Sequence, residues 1–293
     1  AVTVLTSGYF EPLARKLGFE FAELGSAAEF KQVSDDPEVW HPTKGPQRVI
    51  QLTMAGLVRP MYRAIVALHE PGRTVVAAAG LAIGARLAHE KLGLPLATLQ
   101  LQPVVFRSAH APPVLPGPRL PFGLPGVFRL FFWVVDRFFI DPLVLPELNP
   151  FRRELGLPPV KRVMQDWWHS PQRIVGLFPD WYAPPPPDWP PQLRLVGFPL
   201  YDEQGVAPLD PALERFLNAG PPPVVFTPGS AMKHGRWFFE ASAEACRLAG
   251  RRGLLLSRHA ENLPEKLPDG VRHFAYAPFG ELLPRAAALV SHG

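Results

Sequence analysis

The sequence contains very little cysteine, and its charges are sparse and dispersed. Cys246 is the single cysteine among 293 residues, so no disulfide can form within the chain, and nothing indicates an oxidising compartment. Charged residues make up 19% of the chain, below the usual share of about a quarter, and form no long block of one sign, which argues against long disordered segments. With a net charge of +4 and no Lys/Arg cluster, we expect no nucleic-acid partner.

Long apolar runs and an initiating methionine are also missing. A membrane span needs about 20 consecutive apolar residues, whereas the best candidate, residues 130–140, is short and interrupted by Asp136 and Arg137. The chain starts with Ala1 inside a strand-like run and stops at Gly293 inside another such element. We therefore expect the middle of a longer protein, located in the cytoplasm with at most a peripheral contact with a membrane.

The first half contains alternating strand and helix patterns within a chain that is 47% hydrophobic. Residues 74–79 form a continuous apolar run, typical of a parallel strand buried on both faces. A helical pattern over 81–92 and a second apolar run over 96–101 complete a strand–helix–strand unit. Residues 47–69 have helical spacing, and Pro60 is expected to kink that helix.

A second series of strands and helices begins after residue 208. Strands are predicted at 224–227, 253–256, 271–274 and 288–291, with a helix at 235–249. The residues of that helix expected to face the core are Trp237, Ala241, Ala245 and Leu248. The sequence therefore predicts an α/β protein with two Rossmann-like domains that face a cleft, residues 1–204 and 205–293.

Three turns of the second series carry residues suited to binding a nucleotide. Gly229 allows close approach of the backbone, and the Ser230 hydroxyl can donate to a phosphate oxygen. Tyr276 offers an aromatic face to a base, and His292 beside Gly293 can donate to a diphosphate. Taken alone, each turn is explained as well by a purely structural role. Their order along one parallel sheet would bring all three to the same carboxyl edge.

Arg258 follows the predicted strand 253–256 and would face the same region, where a guanidinium can meet a phosphate. The remaining polar candidates have simpler explanations. Asp35 and Asp36 precede a proline and are typical of a turn, so no metal site is predicted. His89, on the helix 81–92, is expected on a solvated face.

Four segments of the second half stand out by their order and spacing: Phe226-Thr227-Pro228-Gly229-Ser230, Tyr276-Ala277-Pro278, Leu282-Leu283-Pro284 and Ala287-Ala288-Leu289-Val290-Ser291-His292-Gly293. They resemble the donor domain of GT-B glycosyltransferases of the UDP-glycosyltransferase superfamily, above all bacterial members related to sterol glucosyltransferases and to the rhamnosyltransferase of rhamnolipid synthesis. The first half is similar too, since residues 2–6 look like the family's second strand and residues 88–95 like its helix-to-strand junction.

The resemblance implies a reaction and a donor site. It implies transfer of a sugar from a nucleotide-diphosphate sugar, the donor substrate, to an acceptor hydroxyl, with inversion and without metal or cofactor. The implied donor-site residues are Gly229 and Ser230 at the diphosphate, Tyr276 stacked on the base, Ala277 bonded to the base through its backbone, His292 at the diphosphate and Gly293 at the following helix N-terminus.

The chain also departs from the family pattern. The family's first strand with its base-bearing loop, the rest of the Gly-rich turn and the acidic–Gln pair that holds the sugar are not in the sequence. The resemblance therefore places the general base before Ala1, and no residue here is assigned as catalytic. We expect residues 1–293 alone to be inactive and prone to aggregation.

An aromatic segment in the first half is the candidate for the acceptor site. Residues 127–145 carry more apolar side chains than one buried helix face requires, and we predict that Phe131 and Trp133 line a channel for a small apolar or lipid acceptor. Trp167, with its neighbours Trp168 and His169, is a further candidate. Packing within the core explains these residues equally well.

Two other functions stay open at this stage. A non-catalytic nucleotide-sugar or lipid-binding protein would keep the aromatic residues and lack a general base. A nucleotide-sugar epimerase on a similar scaffold would need catalytic carboxylates in the cleft, and the sequence offers no convincing set.

Overall fold

The computed structural model describes residues 1–41, 44–112, 125–201, 209–229 and 235–291. The chain divides into two compact units, Ala1–Pro199 (unit 1) and Leu200–Gly293 (unit 2). The predicted boundary between residues 204 and 205 lies outside the described residues.

Unit 1 combines parallel strands with helices. In its described part, strands β3 to β6 form one parallel sheet in the order β3-β4-β5-β6, and β1 and β2 form a separate parallel pair. The predicted strand–helix–strand unit is confirmed as β3-α5-β4. The elements are β1 Thr3–Thr6, α1 Glu11–Lys16, β2 Glu20–Glu23, α2 Ala27–Asp35, α3 Gly45–Val49, α4 Val58–Leu68, β3 Val76–Ala79, α5 Ile83–Leu92, β4 Leu96–Gln100, α6 Pro125–Val135, α7 Asp141–Glu154, β5 Arg173–Gly176 and β6 Leu193–Leu195.

Strand β3 is not buried on both faces, so that expectation is wrong. Val76 and Ala78 are half-buried, while Ala77 and Ala79 are exposed. In the described sheet β3 is an edge strand, with β4 as its neighbour. Its alternation of half-buried and exposed side chains is that of a strand covered on one face.

The predicted kink at Pro60 is also wrong, because the helix is interrupted earlier. A π-helical turn, Ile50–Ala55, follows α3, and the helix is interrupted by a turn at residues 56–57 before α4 begins. The Thr53 hydroxyl donates to the Val49 carbonyl oxygen at 2.7 Å, a bond that competes with regular helix geometry. Pro60 lies in the first turn of α4, where a missing backbone N–H costs little.

The aromatic segment folds as α6 and α7 joined by a π-helical turn, Asp136–Ile140. Its buried face is an apolar stripe interrupted by two carboxylates, Asp136 and Asp141. The Arg107 guanidinium donates to Asp136 at 2.7 Å, and the Val163 backbone N–H donates to Asp141 at 3.0 Å. These contacts from distant parts of the chain fix the irregular turn. The apolar members of the stripe are Phe128, Phe132, Val144, Leu148 and Phe151.

Helix α5 does not present His89 on a solvated face, and that prediction is wrong. His89 is half-buried, with Nδ1 2.7 Å from the Leu94 carbonyl oxygen. Next to it, Glu90 accepts two bonds from the Arg152 guanidinium, at 2.6 and 2.9 Å, and one from Trp167 Nε1 at 2.7 Å. Burial is the strongest influence on the Glu90 pKa and opposes ionisation, but the bonds from Arg152 and Trp167 together lower that pKa. Glu90 is therefore an ionised centre of a polar network inside unit 1.

Unit 2 is built on four parallel strands in the order β10-β7-β8-β9. All four strands lie where the sequence predicts them. Asp210 caps α8 by accepting a bond from the Ala212 N–H at 2.7 Å, and Pro211 occupies the first helical position. The elements are α8 Pro211–Asn218, β7 Val224–Thr227, α9 Arg236–Ala249, β8 Gly253–Leu256, β9 Val271–Phe274, α10 Phe279–Leu282 and β10 Ala288–Ser291.

Helix α9 packs on the sheet with a different face from the predicted one. Trp237 and Leu248 are 67% and 71% exposed, whereas Phe239, Ala243 and Cys246 are buried. Cys246, the single cysteine of the chain, is a buried free thiol on this face. Among the described residues, no helix of either unit is long and apolar enough to cross a membrane.

Candidate functional site

The carboxyl edge of the unit 2 sheet gathers three of the predicted site residues. Because β7, β8 and β9 are adjacent and parallel, the loops that follow them start at the same edge. Gly229 comes two residues after β7, Arg258 two residues after β8 and Tyr276 two residues after β9. In open parallel sheets this edge is where ligands bind.

Gly229 forms a turn that only glycine adopts easily. Its φ is 95°, in the left-handed region where a Cβ would be strained. The Gly229 N–H lies 3.3 Å from the Thr227 hydroxyl oxygen, which accepts its bond. At Gly229, two residues after β7, the backbone therefore carries no side chain and is held by the end of its own strand.

Arg258 and Tyr276 are in contact. The Arg258 guanidinium lies 5.4 Å from the centroid of the Tyr276 ring, within cation–π range. Ser257 anchors the loop, since its hydroxyl accepts a bond from the His259 N–H at 3.0 Å, and His273 Nε2 lies 2.8 Å from its carbonyl oxygen. The edge thus presents a cation beside an aromatic ring, a combination suited to a phosphate linked to a base.

Ala277 offers backbone groups at the same edge. Its side chain is buried with Leu282 in the core of unit 2. The following residue, Pro278, caps α10 by accepting a bond from the Leu282 N–H at 3.0 Å. Ala277 is 4% exposed, and within the described ranges neither its N–H nor its carbonyl bonds to another backbone group.

A cavity of about 520 Å³ lies in unit 1. Its lining combines aromatic and apolar side chains with a few polar groups, as in ordinary small-molecule sites. The described residues that line it are Val105, Phe106, Arg107, Ala109, Arg129, Phe132, Trp133, Met164, Gln165, His169, Asp188 and Pro190.

Two carboxylates beside the cavity are already committed to protein partners. Burial is the main cause of a raised pKa at Asp136, and the Arg107 guanidinium opposes it. Asp188 accepts bonds from the Ser108 hydroxyl and the Ala109 N–H, both at 2.7 Å. For Asp188 burial again acts to raise the pKa, but the two bonds outweigh it and the pKa is lowered.

His169 is the titratable ring on the cavity wall. It stacks on Trp168, with ring centroids 4.6 Å apart, and faces Phe106 at 5.5 Å. Its Nε2 lies 3.0 Å from the Gln100 amide nitrogen. Burial lowers the His169 pKa from 6.5 to about 4, so the ring is neutral at pH 7.

No protein-family model matches this chain. Over 155 residues, half of the chain, it is 36% identical to the O-mycaminosyltylonolide 6-deoxyallosyltransferase of Streptomyces fradiae, covering 34% of that protein. Over 258 residues, 86% of the chain, it is 31% identical to glycosyltransferase GtfC of Amycolatopsis orientalis, covering 60% of that protein. The chain thus spans between 34% and 60% of the length of these two curated relatives.

Solved structures share the fold. The glycosyltransferase of kitacinnamycin matches with a TM-score of 0.69 at 19% identity, covering all of this chain and 68% of that one. The spinosyn rhamnosyltransferase, solved with thymidine diphosphate, matches with a TM-score of 0.56 at 15% identity, covering 100% and 75%. The chain therefore has the GT-B fold, and its sequence is similar to curated glycosyltransferases. Neither curated relative named above is a sterol glucosyltransferase, so that finer resemblance stays a prediction.

The GT-B chain brings only part of the predicted site together within the described residues. Gly229, Arg258, Tyr276 and Ala277 meet at one edge of unit 2, as the strand order requires. The other three donor-site predictions, Ser230, His292 and Gly293, lie outside the described residues.

The three predicted acceptor residues have different surroundings in the GT-B chain. Trp133 lines the cavity of unit 1. Phe131 instead packs on Phe132, with ring centroids 5.6 Å apart, and Trp167 is buried with its Nε1 donating to Glu90. The structure therefore supports core packing for Phe131 and Trp167 and does not bring either of them to the cavity.

Several residues of the cavity could not be predicted from the sequence. Arg107 and Asp188 each sit in an irregular segment, and their partners are 29 and 80 residues away along the chain. Of the acidic pair, Asp36 behaves as predicted for a turn, since it accepts a bond from the Glu38 N–H at 2.9 Å and faces Arg48, whereas Asp35 is the last residue of α2. In the described ranges no three His, Cys, Asp or Glu side chains converge as metal ligands.

Proposed function

We propose that this protein is a glycosyltransferase that moves a sugar from a nucleotide-diphosphate donor to a hydroxyl group of an apolar or lipid acceptor, with inversion and without a metal ion. The observation that carries the proposal is the edge of unit 2, where Gly229, Arg258 and Tyr276 follow three adjacent parallel strands. The two named relatives are both glycosyltransferases.

Each predicted site residue at the edge of unit 2 has a proposed role in binding the donor. The Gly229 turn lets the diphosphate approach the backbone closely, and the Arg258 guanidinium offsets its negative charge. The Tyr276 ring stacks on the base, and the backbone groups of Ala277 bond to the base edge. Ser230 and His292 remain proposed partners of the diphosphate, where donors would stabilise the charge that develops as the sugar leaves.

The acceptor half rests on the cavity of unit 1. Its volume of about 520 Å³ and its wall of Phe106, Phe132, Trp133 and Met164 suit an apolar molecule of moderate size. One neighbour of similar fold, the spinosyn rhamnosyltransferase, was solved with spinosyn aglycone. The general base that activates the acceptor hydroxyl is assigned to no described residue.

Peripheral membrane contact is a further part of the proposal, together with a cytoplasmic location. Around the junction of α6 and the π-helical turn, Leu130, Phe138 and Phe139 are all more than half exposed. Arg129 and Arg137 lie beside them in the sequence. Apolar side chains flanked by cations are suited to the headgroup region of an anionic bilayer, which is also where a lipid acceptor would be met.

The donor site is tested by titration calorimetry of the protein with thymidine diphosphate and UDP. Tyr276→Ala should weaken binding of the preferred nucleotide by about 1–3 kcal/mol, the value of a stacked base. Tyr182→Ala, which removes an exposed ring of unit 1, is the matched control and should leave the affinity unchanged. Equal affinity of the Tyr276→Ala and unsubstituted proteins would remove Tyr276 from the site.

Catalysis is tested separately, by release of nucleotide from UDP- and TDP-sugars in the presence of hydroxylated apolar acceptors. The natural gene product that contains these residues is the material of choice, since the curated relatives are longer. Acceptor-dependent release supports the glycosyltransferase. Tight nucleotide binding with no transfer to any acceptor would favour the non-catalytic binding protein instead.

A further inference from the structure

One ring nitrogen on the wall of the unit 1 cavity has no partner in the described part of the chain. His169 bonds through Nε2, and no described residue bonds to its Nδ1. Nδ1 is not a fully buried atom, and His169 lines the cavity, so a ligand can reach this nitrogen. We propose that the Nδ1–H of His169 donates a hydrogen bond to an oxygen atom of the acceptor, selecting apolar acceptors that carry a carbonyl or ether oxygen at that point. The identity of the ligand as acceptor rests on the proposed function.

The proton is placed on Nδ1 by the partner of Nε2. A neutral imidazole has one N–H and one bare nitrogen. The Gln100 amide nitrogen, 3.0 Å from Nε2, can only donate, so Nε2 accepts and Nδ1 carries the hydrogen. His169 therefore has one defined tautomer, with its donor directed away from Gln100.

The donor is held rigidly. Gln100 is the last residue of β4 and is almost completely buried. Gly80 makes room for it, since a Cβ at Gly80 would collide with the Gln100 amide. The Arg86 Nε donates to the His169 carbonyl oxygen at 3.3 Å, and the ring itself is stacked on Trp168. A donor fixed in this way loses little conformational entropy when it binds a ligand.

The other polar groups of the wall are less suited to this task. Both oxygens of Asp188 already accept protein hydrogens, and Arg107 is paired with Asp136. Arg129 and Gln165 are solvent-exposed side chains, which hold no fixed position. Since the ring is neutral at pH 7, His169 binds an uncharged oxygen without the cost of burying a charge.

The tautomer is read directly by long-range ¹H–¹⁵N NMR of the chain, which distinguishes an Nδ1–H from an Nε2–H imidazole. The proposal expects the His169 side chain in the Nδ1–H form at pH 7. An Nε2–H tautomer would overturn it, because Nδ1 would then have no hydrogen to give. This measurement needs no ligand and no activity, so it is independent of the proposed function.

Ligand selection is tested with a matched pair of probes, 2-acetylnaphthalene and 2-ethylnaphthalene, which differ in a carbonyl oxygen. The unsubstituted chain should bind the ketone about three- to tenfold more tightly than the hydrocarbon, the net worth of one hydrogen bond. His169→Phe should abolish that preference while still binding the hydrocarbon. An absence of preference in the unsubstituted chain, or a preference that survives His169→Phe, would overturn the proposal.

Two conservative variants separate the two ring nitrogens. His169→Asn places an amide donor near the position of Nδ1, whereas His169→Gln reaches the position of Nε2 and its partner Gln100. The preference for the ketone should be partly retained in His169→Asn and lost in His169→Gln. The reverse pattern would show that the Nε2 side, and not Nδ1, meets the ligand. Unfolding midpoints of all three variants confirm that each comparison is made on folded protein.

Discussion

The two units differ in what they bury. The described interior of unit 1 contains carboxylates, a guanidinium, hydroxyls and an amide, whereas that of unit 2 is almost entirely apolar. The buried polar residues of unit 1 are Thr98, Gln100, Ser108, Asp136, Asp141, Arg152 and Ser170, and those of unit 2 are Ser242 and Asn262. Unit 2 therefore builds its candidate site from loops at a sheet edge, whereas unit 1 orients the side chains around its cavity through buried polar partners.

This difference sets how each unit responds to substitution. A buried ion that loses its partner leaves an uncompensated charge, which costs more than the pair contributes in the first place. An apolar core instead loses stability in proportion to the volume removed or the overlap introduced. The stability of unit 1 should depend on the charge of its buried side chains and on pH, and that of unit 2 on the volume of its buried side chains.

The largest effect is expected at the Arg152–Glu90 pair of unit 1, in which Arg152 is buried and Glu90 is half-buried. Arg152→Met removes two hydrogen bonds from Glu90, which keeps the bond from Trp167 and the Arg86 guanidinium 3.7 Å away, and it should lower the free energy of unfolding by about 3–4 kcal/mol. Urea denaturation followed by tryptophan fluorescence measures the change. Arg247→Met in unit 2, which breaks an exposed pair with Glu244, is the control and should have little effect.

A double variant sharpens the same comparison. Adding Glu90→Gln to Arg152→Met removes a carboxylate that has lost its two bonds from Arg152, so part of the lost stability should return. If the two substitutions are instead simply additive, Glu90 does not depend on Arg152 for compensation of its charge, and the interior of unit 1 is not charge-dependent at this site.

The second effect is a pH dependence that belongs to unit 1. His169 has a pKa of about 4 in the folded chain against 6.5 in its ordinary state, so the unfolded chain takes up its proton first as the pH falls. Above pH 6.5 this ring does not change the free energy of unfolding. Between pH 6.5 and 4 its contribution makes the free energy of unfolding fall, by about 3 kcal/mol at pH 4.

His169→Phe removes the titrating group and is the matched variant. Its unfolding free energy should fall less steeply between pH 6.5 and 4 than that of the unsubstituted chain, with the difference growing toward pH 4. Parallel curves for the two proteins would show that the ring is not held neutral by its surroundings.

The third effect compares two glycines, one in each unit. A Cβ at Gly253 would lie 2.5 Å from the Cys246 sulfur and 3.3 Å from Val271, so Gly253→Ala should force α9 away from the sheet at a cost of about 1–3 kcal/mol. At Gly80 the colliding group is the end of the Gln100 side chain, which can turn aside. Gly80→Ala should therefore cost less in urea denaturation but disturb the Nδ1–H tautomer of His169. A smaller loss at Gly253 than at Gly80 would contradict this order.

The sequence predicts unit 2 better than unit 1 for a physical reason. The strand 224–227 is a short apolar run between prolines, and the strand 253–256 is one between polar residues, so their limits are encoded locally. The gathering of Gly229, Arg258 and Tyr276 then follows from strand order alone.

In unit 1 the deciding contacts are distant along the chain. The π-helical turn after α6 depends on Asp136 meeting Arg107, and the tautomer of His169 depends on Gln100, 69 residues away. No local spacing encodes such pairs. The cavity and its donor therefore become visible only in the folded chain.

Within unit 2, the sequence predicts the wrong buried face for helix α9, and a substitution on the predicted face should have the smallest effect. Two sets of residues satisfy helical spacing, and the larger apolar side chains of one set, Trp237 and Leu248, favour that face in the sequence. The sheet instead takes the other face, because Cys246 must approach Gly253 closely and Phe239 fills the space beside Phe226 and Leu255. Trp237→Gln should accordingly change the unfolding free energy by less than about 0.5 kcal/mol, whereas Phe239→Ala should cost about 3–5 kcal/mol. Comparable losses for the two variants in urea denaturation would mean that the face bearing Trp237 is covered, and that the face chosen from the sequence was right.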